Sequence, residues 1–417
     1  MVIMAGGGWD KGIHVMKLFV ATLIALGLMA ASLMAPGLPA WADTHREGAS
    51  DFYVWQDPIP QTAGQLLRRE PMEPELVLEN AAHGMRILYA SQGWDDQWIA
   101  VSGDVMIPKG DAPEGGWPVL AWSHGTVGVA DICAPSFSGR SPRDVAYLNK
   151  WLAEGYAIVS TDYEGLGTPG GHTYLHCESE ARGNIDAVRA AARLDASLSP
   201  NWIVIGPSQG GQGALCTGAY VAERAPESGF LGTLATSPAV NWKDRFAVGT
   251  AEDPVPFIGM SLFLARGFEV YEPSFSTQEA FTEAALALMP HTDNKFVGEV
   301  IGLGMQAKLK TGEALKHVPF GAIPGANAGA AKMEVPTTGW AAPVYVAQGT
   351  ADPLIRFEDV ANYAATLCGK DIDVMLDVYE GAAHSGPMNQ GFDAFLAWVN
   401  ARFAGEDAPN NCAAAEE

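Results

Sequence analysis

Charge is scarce in this chain of 417 residues: only 18% are Asp, Glu, Lys or Arg, and the basic side is the poorer, 25 against 48 acidic residues, for a formal charge of −23. A surface this short of Lys and Arg repels phosphate backbones, which argues against nucleic acid as a partner and for a soluble monomer. Low charge together with 48% hydrophobic residues also excludes disorder over most of the length. The five cysteines contain no C-x-x-C pair, which argues against a zinc ribbon or a thioredoxin-type site. No glycine loop runs into Lys-Ser/Thr and no dinucleotide fingerprint opens the first strand, so no nucleotide-binding site is expected. His172 and His176 stand four apart, but no carboxylate or Cys cluster completes a metal site around them. No internal repeat is visible. What is plentiful is Gly, 47 residues, and Trp, 12 residues, as in a turn-rich protein with aromatic-lined pockets.

The one long apolar run lies near the start. Lys17 precedes Leu18–Met34, and helix breakers and small residues follow in Ala35-Pro36-Gly37-Leu38-Pro39-Ala40-Trp41-Ala42. That pattern reads as a secretory leader cut after Ala42, with the residues before Met16 as an upstream start; the run is short for a membrane anchor. Residues 1–42 are therefore set apart, and the mature protein is expected to be secreted or periplasmic.

Residues 43 to about 74 are Pro-rich and polar, and read as an arm across the body. Strand-like runs at Trp98–Pro108, Val119–Trp122, Tyr156–Thr161, Trp202–Gly206, Phe230–Ala235, Val344–Gln348 and Asp373–Tyr379 then alternate with helical ones. The helical runs are Asp144–Glu154, Glu178–Ala196, Gly210–Ala225, Phe357–Leu367 and Pro387–Phe403. This alternation predicts an α/β fold with a mostly parallel sheet covered on both faces. Residues 240–341 break the rhythm. They are too long for a structureless loop, so a helical cap is expected there, with an amphipathic helix at about Gln278–Met289. The core is thus read as 43–239 and 342–417, interrupted by the cap.

The sharpest motif is Gly206-Pro207-Ser208-Gln209-Gly210, a G-x-S-x-G directly after an apolar strand and directly before a helix. A tight strand-to-helix turn exposes the Ser hydroxyl at the carboxyl end of the sheet, and the helix N-terminus favours a developing anion. Ser208 is the candidate nucleophile. The order nucleophile, acid, base predicts the partners downstream. Of the three later histidines, His291 and His317 fall in the cap region, whereas His384 follows the last strand in a loop of small residues. Asp352, in the turn after Val344–Gln348, is the candidate acid; Asp377, inside a strand, is the weaker rival. An oxyanion hole needs two N–H donors. One is the backbone of Gln209; the other comes from Gly125 or Thr126, after the strand Val119–Trp122. His124 is read as a buried structural imidazole.

With these pieces in place, the sequence resembles the secretory lipase family of α/β-hydrolases, which includes fungal lipase A enzymes. The resemblance rests on Ser123-His124-Gly125-Thr126, Cys133-Ala134-Pro135-Ser136, Asp162-Tyr163-Glu164-Gly165, Gly206-Pro207-Ser208-Gln209-Gly210-Gly211, Gly349-Thr350-Ala351-Asp352 and His384, in that order. It implies an α/β-hydrolase fold with a helical cap, ester hydrolysis and no cofactor. It also implies Ser208, Asp352 and His384 as the triad, with Thr126 as the second oxyanion donor, where fungal relatives carry Asp. A bridge comparable to Cys368–Cys412 occurs in the family, and the tail needs a tether. Cys133–Cys177 is expected between adjacent rim loops, leaving Cys216 a buried thiol. The fungal enzymes carry a long C-terminal flap, whereas 33 residues follow His384 here. The expectation is a serine carboxylesterase or lipase for short- to medium-chain esters, without interfacial activation. An acyltransferase, a long-chain lipase, a polyester hydrolase and a silent binding module are the alternatives.

Overall fold

The computed structural model describes residues 48–253 and 258–412; the expected leader lies outside them. The strands are β1 (Leu66–Pro71), β2 (Ala81–Gln92), β3 (Trp98–Pro108), β4 (Trp117–Trp122), β5 (Ala157–Thr161), β6 (Leu198–Pro207), β7 (Gly229–Thr236), β8 (Val344–Gly349) and β9 (Val374–Tyr379). They form one sheet in the order β1-β2-β3-β5-β4-β6-β7-β8-β9. The pairs from β1 to β5 across β2 and β3 are antiparallel, and every pair from β5 to β9 is parallel. β1 lies within the segment read as an arm across the body. Its pairing with β2, with Arg69 opposite Ile87, makes the arm the sheet's edge strand.

The longer helices are α1 (Pro142–Ala153), α2 (Cys177–Leu194), α3 (Gln209–Arg224), α4 (Ile258–Tyr271), α5 (Val297–Ala307), α6 (Phe357–Cys368) and α7 (Phe392–Phe403). The helix α1 starts where Ser141 accepts from the Asp144 N–H and Pro142 fills the first turn, positions that need no intrahelical donor. The period of two in the strands sorts the core into two layers. Leu120, Trp122, Ile203 and Ile205 pack with Leu148 and Trp151 of α1 and Phe395 of α7. Val119, Ala121, Trp202 and Val204 face Ile185 of α2 and Ala214 of α3.

The regular elements between β7 and β8 are all helical among the described residues. Their apolar side chains, among them Leu262, Phe263 and Phe268, join one cluster with Val344 and Val346 of β8, so the insertion is anchored directly on the sheet. The expected helix at Gln278–Met289 is broken into Thr277–Ala280 and Glu283–Leu286. Phe281 pairs as an isolated bridge with Leu315, and the Thr282 N–H donates to Ala314 O, which pulls this point of the chain extended. The last expected helix also breaks, at Gly391, a weak helix former. The bend lets Phe392 pack on Trp151 and Phe395 on Tyr345.

Cysteine pairing differs from expectation at one bridge. Cys368–Cys412 is present, but Cys177 pairs with Cys216, and Cys133 is the buried thiol. The face of α3 that carries Cys216 meets the start of the neighbouring α2, where Cys177 is the first residue. Cys133 is turned instead toward the cap segment, its thiol against Lys295 O. Burial pushes that thiol up to about 12. Peptide mapping without reduction is expected to return Cys177–Cys216 and Cys368–Cys412, with Cys133 alkylated only after unfolding. Rapid labelling of Cys133 in the native protein would contradict this burial.

Candidate active site

Ser208 sits between β6 and α3 with φ 58° and ψ −119°, a conformation rare outside Gly and a mark of stored backbone strain. Its N–H donates to Thr236 O at the end of β7, 2.9 Å away. The flanking glycines make this turn possible. A Cβ on Gly206 would lie 2.4 Å from Ser123 O, and one on Gly210 would lie 1.8 Å from the same oxygen. Only bare backbone fits there. Because α3 begins at Gln209, the Gln209 N–H has no partner within its helix and is free to donate outward.

Asp352 follows β8, its side chain fully buried. Oδ1 accepts from the N–H groups of Leu354 (2.8 Å) and Ile355 (3.0 Å). Oδ2 lies 2.7 Å from His384 Nδ1 and accepts from Gln348 Nε2 at 3.3 Å. Burial alone would raise this carboxyl. The His384 hydrogen bond and charge, with the two backbone donors, outweigh it and hold the group below its ordinary value, so Asp352 is ionised. The rival Asp377 accepts instead from the hydroxyls of Tyr345 and Tyr379, each at 2.7 Å. The His384 loop is fixed by its own carbonyl, which accepts from Ser237 Oγ at 2.8 Å.

Thr126 Oγ1 lies 2.8 Å from Tyr174 OH. Behind Gln209, its side-chain amide donates to Glu180 Oε1 (2.8 Å) and lies 3.4 Å from His172 Nε2. His172 Nδ1 faces the carbonyl of Glu164 at 2.9 Å and must carry the proton there, which leaves Nε2 as acceptor from Gln209. Burial pushes Glu180 up to about 8 and Glu164 up to about 7. His124, as expected, is a buried structural imidazole. Its Nδ1 is 2.8 Å from Gly125 O, and burial pushes it down to about 4. His176 accepts from the Ser179 N–H and caps α2, and no cluster of three or more metal-binding side chains exists among the described residues.

Ser208 and Gln209 open onto a cavity of about 290 Å³ walled by Tyr174, Trp242, Phe246, Met260, Leu264 and Leu354. Met260 and Leu264 are the apolar residues that α4 contributes to this wall. Ile258, Leu262 and Phe263 of the same helix are buried in the core. The structure therefore joins Asp352 to His384, puts Ser208 and Gln209 on one cavity, and connects Thr126 to it through Tyr174. Sequence reasoning missed Tyr174, Glu180, Ser237 and Gln348. None belongs to a local motif; each acts through a partner at least four residues away.

Residues 141–411 match the secretory lipase family. The chain belongs to that family. It is a carboxylic ester hydrolase with an α/β-hydrolase fold. Candida antarctica lipase A in its closed state superposes with a TM-score of 0.71 at 17% identity, over 90% of this chain and 89% of that chain. The ligand-bound rice cell wall degrading esterase LipA from Xanthomonas oryzae superposes with a TM-score of 0.65 at 18% identity, over 83% of this chain and 100% of that chain. No curated protein sequence matches the chain significantly.

Glu180 carries a pH signature. Its carboxyl is raised in the fold, so between its ordinary value and about 8 the native state binds a proton that the unfolded chain releases. That contribution is full below about 4.5 and is lost as pH rises to 8. Glu180→Gln should remove this loss, giving a Tm that declines less than wild type between pH 5 and 8.5. Parallel Tm profiles for the two proteins would contradict a protonated Glu180.

Proposed function

We propose that the chain is a secreted serine ester hydrolase in which Ser208 is the nucleophile, His384 the base and Asp352 the acid. The observation that carries this reading is the contact of His384 with the buried carboxylate of Asp352, at the same sheet edge as a Ser208 held at positive φ beside a largely apolar cavity. With Nδ1–H given to Asp352, the neutral imidazole keeps a lone pair on Nε2. That nitrogen takes the Ser208 proton as Oγ bonds to the ester carbonyl carbon. The carbonyl oxygen becomes an oxyanion held by the N–H groups of Gln209 and Thr126. Collapse breaks the bond to the alcohol oxygen, which receives the proton from His384, and leaves acyl-Ser208. Water then repeats the sequence, losing its proton to His384, and the acid is released. Asp352 stays ionised throughout, orienting the imidazole and stabilising its charged form.

The cavity of about 290 Å³ is at the lower end of ligand sites, which supports acyl chains of about four to eight carbons. Each buried methylene contributes ~0.8 kcal/mol until the wall is met. Two disulfides fit an exported protein, as does the leader expected at residues 1–42.

Ser208→Ala should lower turnover by roughly a million-fold and abolish labelling by an organophosphonate, with the fold kept. Labelling that persists would assign the nucleophile elsewhere. In a series of dissolved p-nitrophenyl esters, kcat/KM should rise to a maximum between butanoate and octanoate. The rate should show no jump when a triglyceride passes its solubility limit; a jump, with long chains preferred, would assign the cap an interfacial role.

A further inference from the structure

A second cavity, of about 510 Å³, is lined by Thr126, Val127, Arg140, Arg143, Phe296 and Val297. The two cavities meet at one hydrogen-bonded pair, 2.8 Å apart: Thr126 lines this cavity and Tyr174 the one that Ser208 lines. Arg143 ties the second cavity to the two loops that carry His384 and Thr126. Its Nη1 donates to Ser385 Oγ at 3.4 Å, one residue after His384. A Cβ on Gly125 would lie 3.4 Å from its Nη2 and 3.3 Å from the carbonyl of Pro207, one residue before Ser208. The guanidinium is therefore wedged between the histidine loop and the loop of the oxyanion hole, and no step of the proposed mechanism uses it.

Resting on the serine-hydrolase reading, we infer that this second cavity receives the leaving alcohol, and that Arg143 selects alcohols carrying a further hydroxyl over alkyl alcohols of the same size. The leaving oxygen takes its proton from His384, so the alcohol must lie on the His384 side, where Arg143 touches Ser385. The acyl part then occupies the apolar cavity beside Gln209. The ligand chemistry follows from charge. Asp144 Oδ1 takes Nε (2.9 Å) and Nη2 (2.8 Å) of Arg143, so the pair is neutral overall. Further N–H groups on Nη1 and Nη2 have no acceptor among the described residues, and the side chain is 30% exposed. Donors without net charge, in a protein of charge −23, suit a neutral oxygen rather than an anion. Arg140 cannot do the same work, because Asp104 and Ser160 hold its Nη2 in a side chain only 3% exposed.

The test uses 2-hydroxyethyl hexanoate and propyl hexanoate, which share the acyl group and differ by a hydroxyl in place of a methyl. Their kcat/KM ratio, divided by the ratio of their alkaline hydrolysis rates, should favour the hydroxyethyl ester several-fold in the wild type. It should fall at least five-fold in Arg143→Met and less in Arg143→Lys. A second measurement needs no variant. With p-nitrophenyl hexanoate as donor, ethylene glycol should outcompete 1-propanol for the common acyl-enzyme, because the leaving-group site is also the acceptor site. An equal partition, a ratio untouched by Arg143→Met, or an equal loss on both esters would overturn the inference. Turnover surviving in Ser208→Ala, or absent from the wild type, would instead overturn the serine-hydrolase reading and this inference with it.

Discussion

Three backbones meet almost in contact where β6 turns into α3, and the rest of the site depends on that crossing. Ser123, at the end of β4, presents its carbonyl to both Gly206 and Gly210, so tightly that neither could carry a side chain. The closeness forces the turn to a single residue, and that residue, Ser208, takes the positive φ. The same closeness brings the Gly125–Thr126 loop beside Pro207. The proposed nucleophile and the proposed oxyanion loop are thus positioned by one steric constraint rather than by separate side-chain contacts. Larger residues at 206 or 210 would separate β6 from β4 before they altered any reacting group.

The remaining pieces are tied to this crossing through Thr236 and Ser237. Thr236 O accepts from the Ser208 N–H, the Ser237 N–H donates to Ala347 O of β8, and Ser237 Oγ donates to the carbonyl of His384. Two consecutive residues at the end of β7 therefore connect the serine turn, the acid strand and the histidine loop. The Ala351 N–H donating to Ala382 O and the Gly381 N–H donating to Thr350 Oγ1 lock the acid turn to the histidine loop again. Adjacent parallel strands make this economical, since β6, β7, β8 and β9 all end at the same edge.

The legible features were those whose physics is local. Strand periodicity located β6, the G-x-S-x-G spacing singled out the turn after it as the place of the proposed nucleophile Ser208, and the small-residue loop after β9 singled out the proposed base His384. What could not be read depends on which distant surfaces meet. Cys216, expected to stay a buried thiol, meets Cys177 because α2 packs alongside α3. The helix expected at Gln278–Met289 has the right period, but the bridge of Phe281 to Leu315, 34 residues on, overrides local propensity. Ser237, which fixes two loops, is one serine in an unremarkable turn and carries no pattern at all.

Electrostatics explain how a chain of charge −23 can harbour a site proposed to stabilise an anion. The acids nearest the oxyanion loop are kept neutral or paired. Glu180 contacts the side chain of Gln209 and is pushed up by burial to about 8, so near neutrality it is largely uncharged while still accepting from that amide. An ionised Glu180 would place a negative charge against the side chain of the residue whose N–H is proposed to hold the oxyanion, in a buried setting that screens it weakly. Asp352 is ionised, but its charge is answered by His384, Gln348 and two backbone N–H groups. Burial thus does two things at once: it costs the fold stability as pH rises, and it keeps repulsive charge away from the point where negative charge develops.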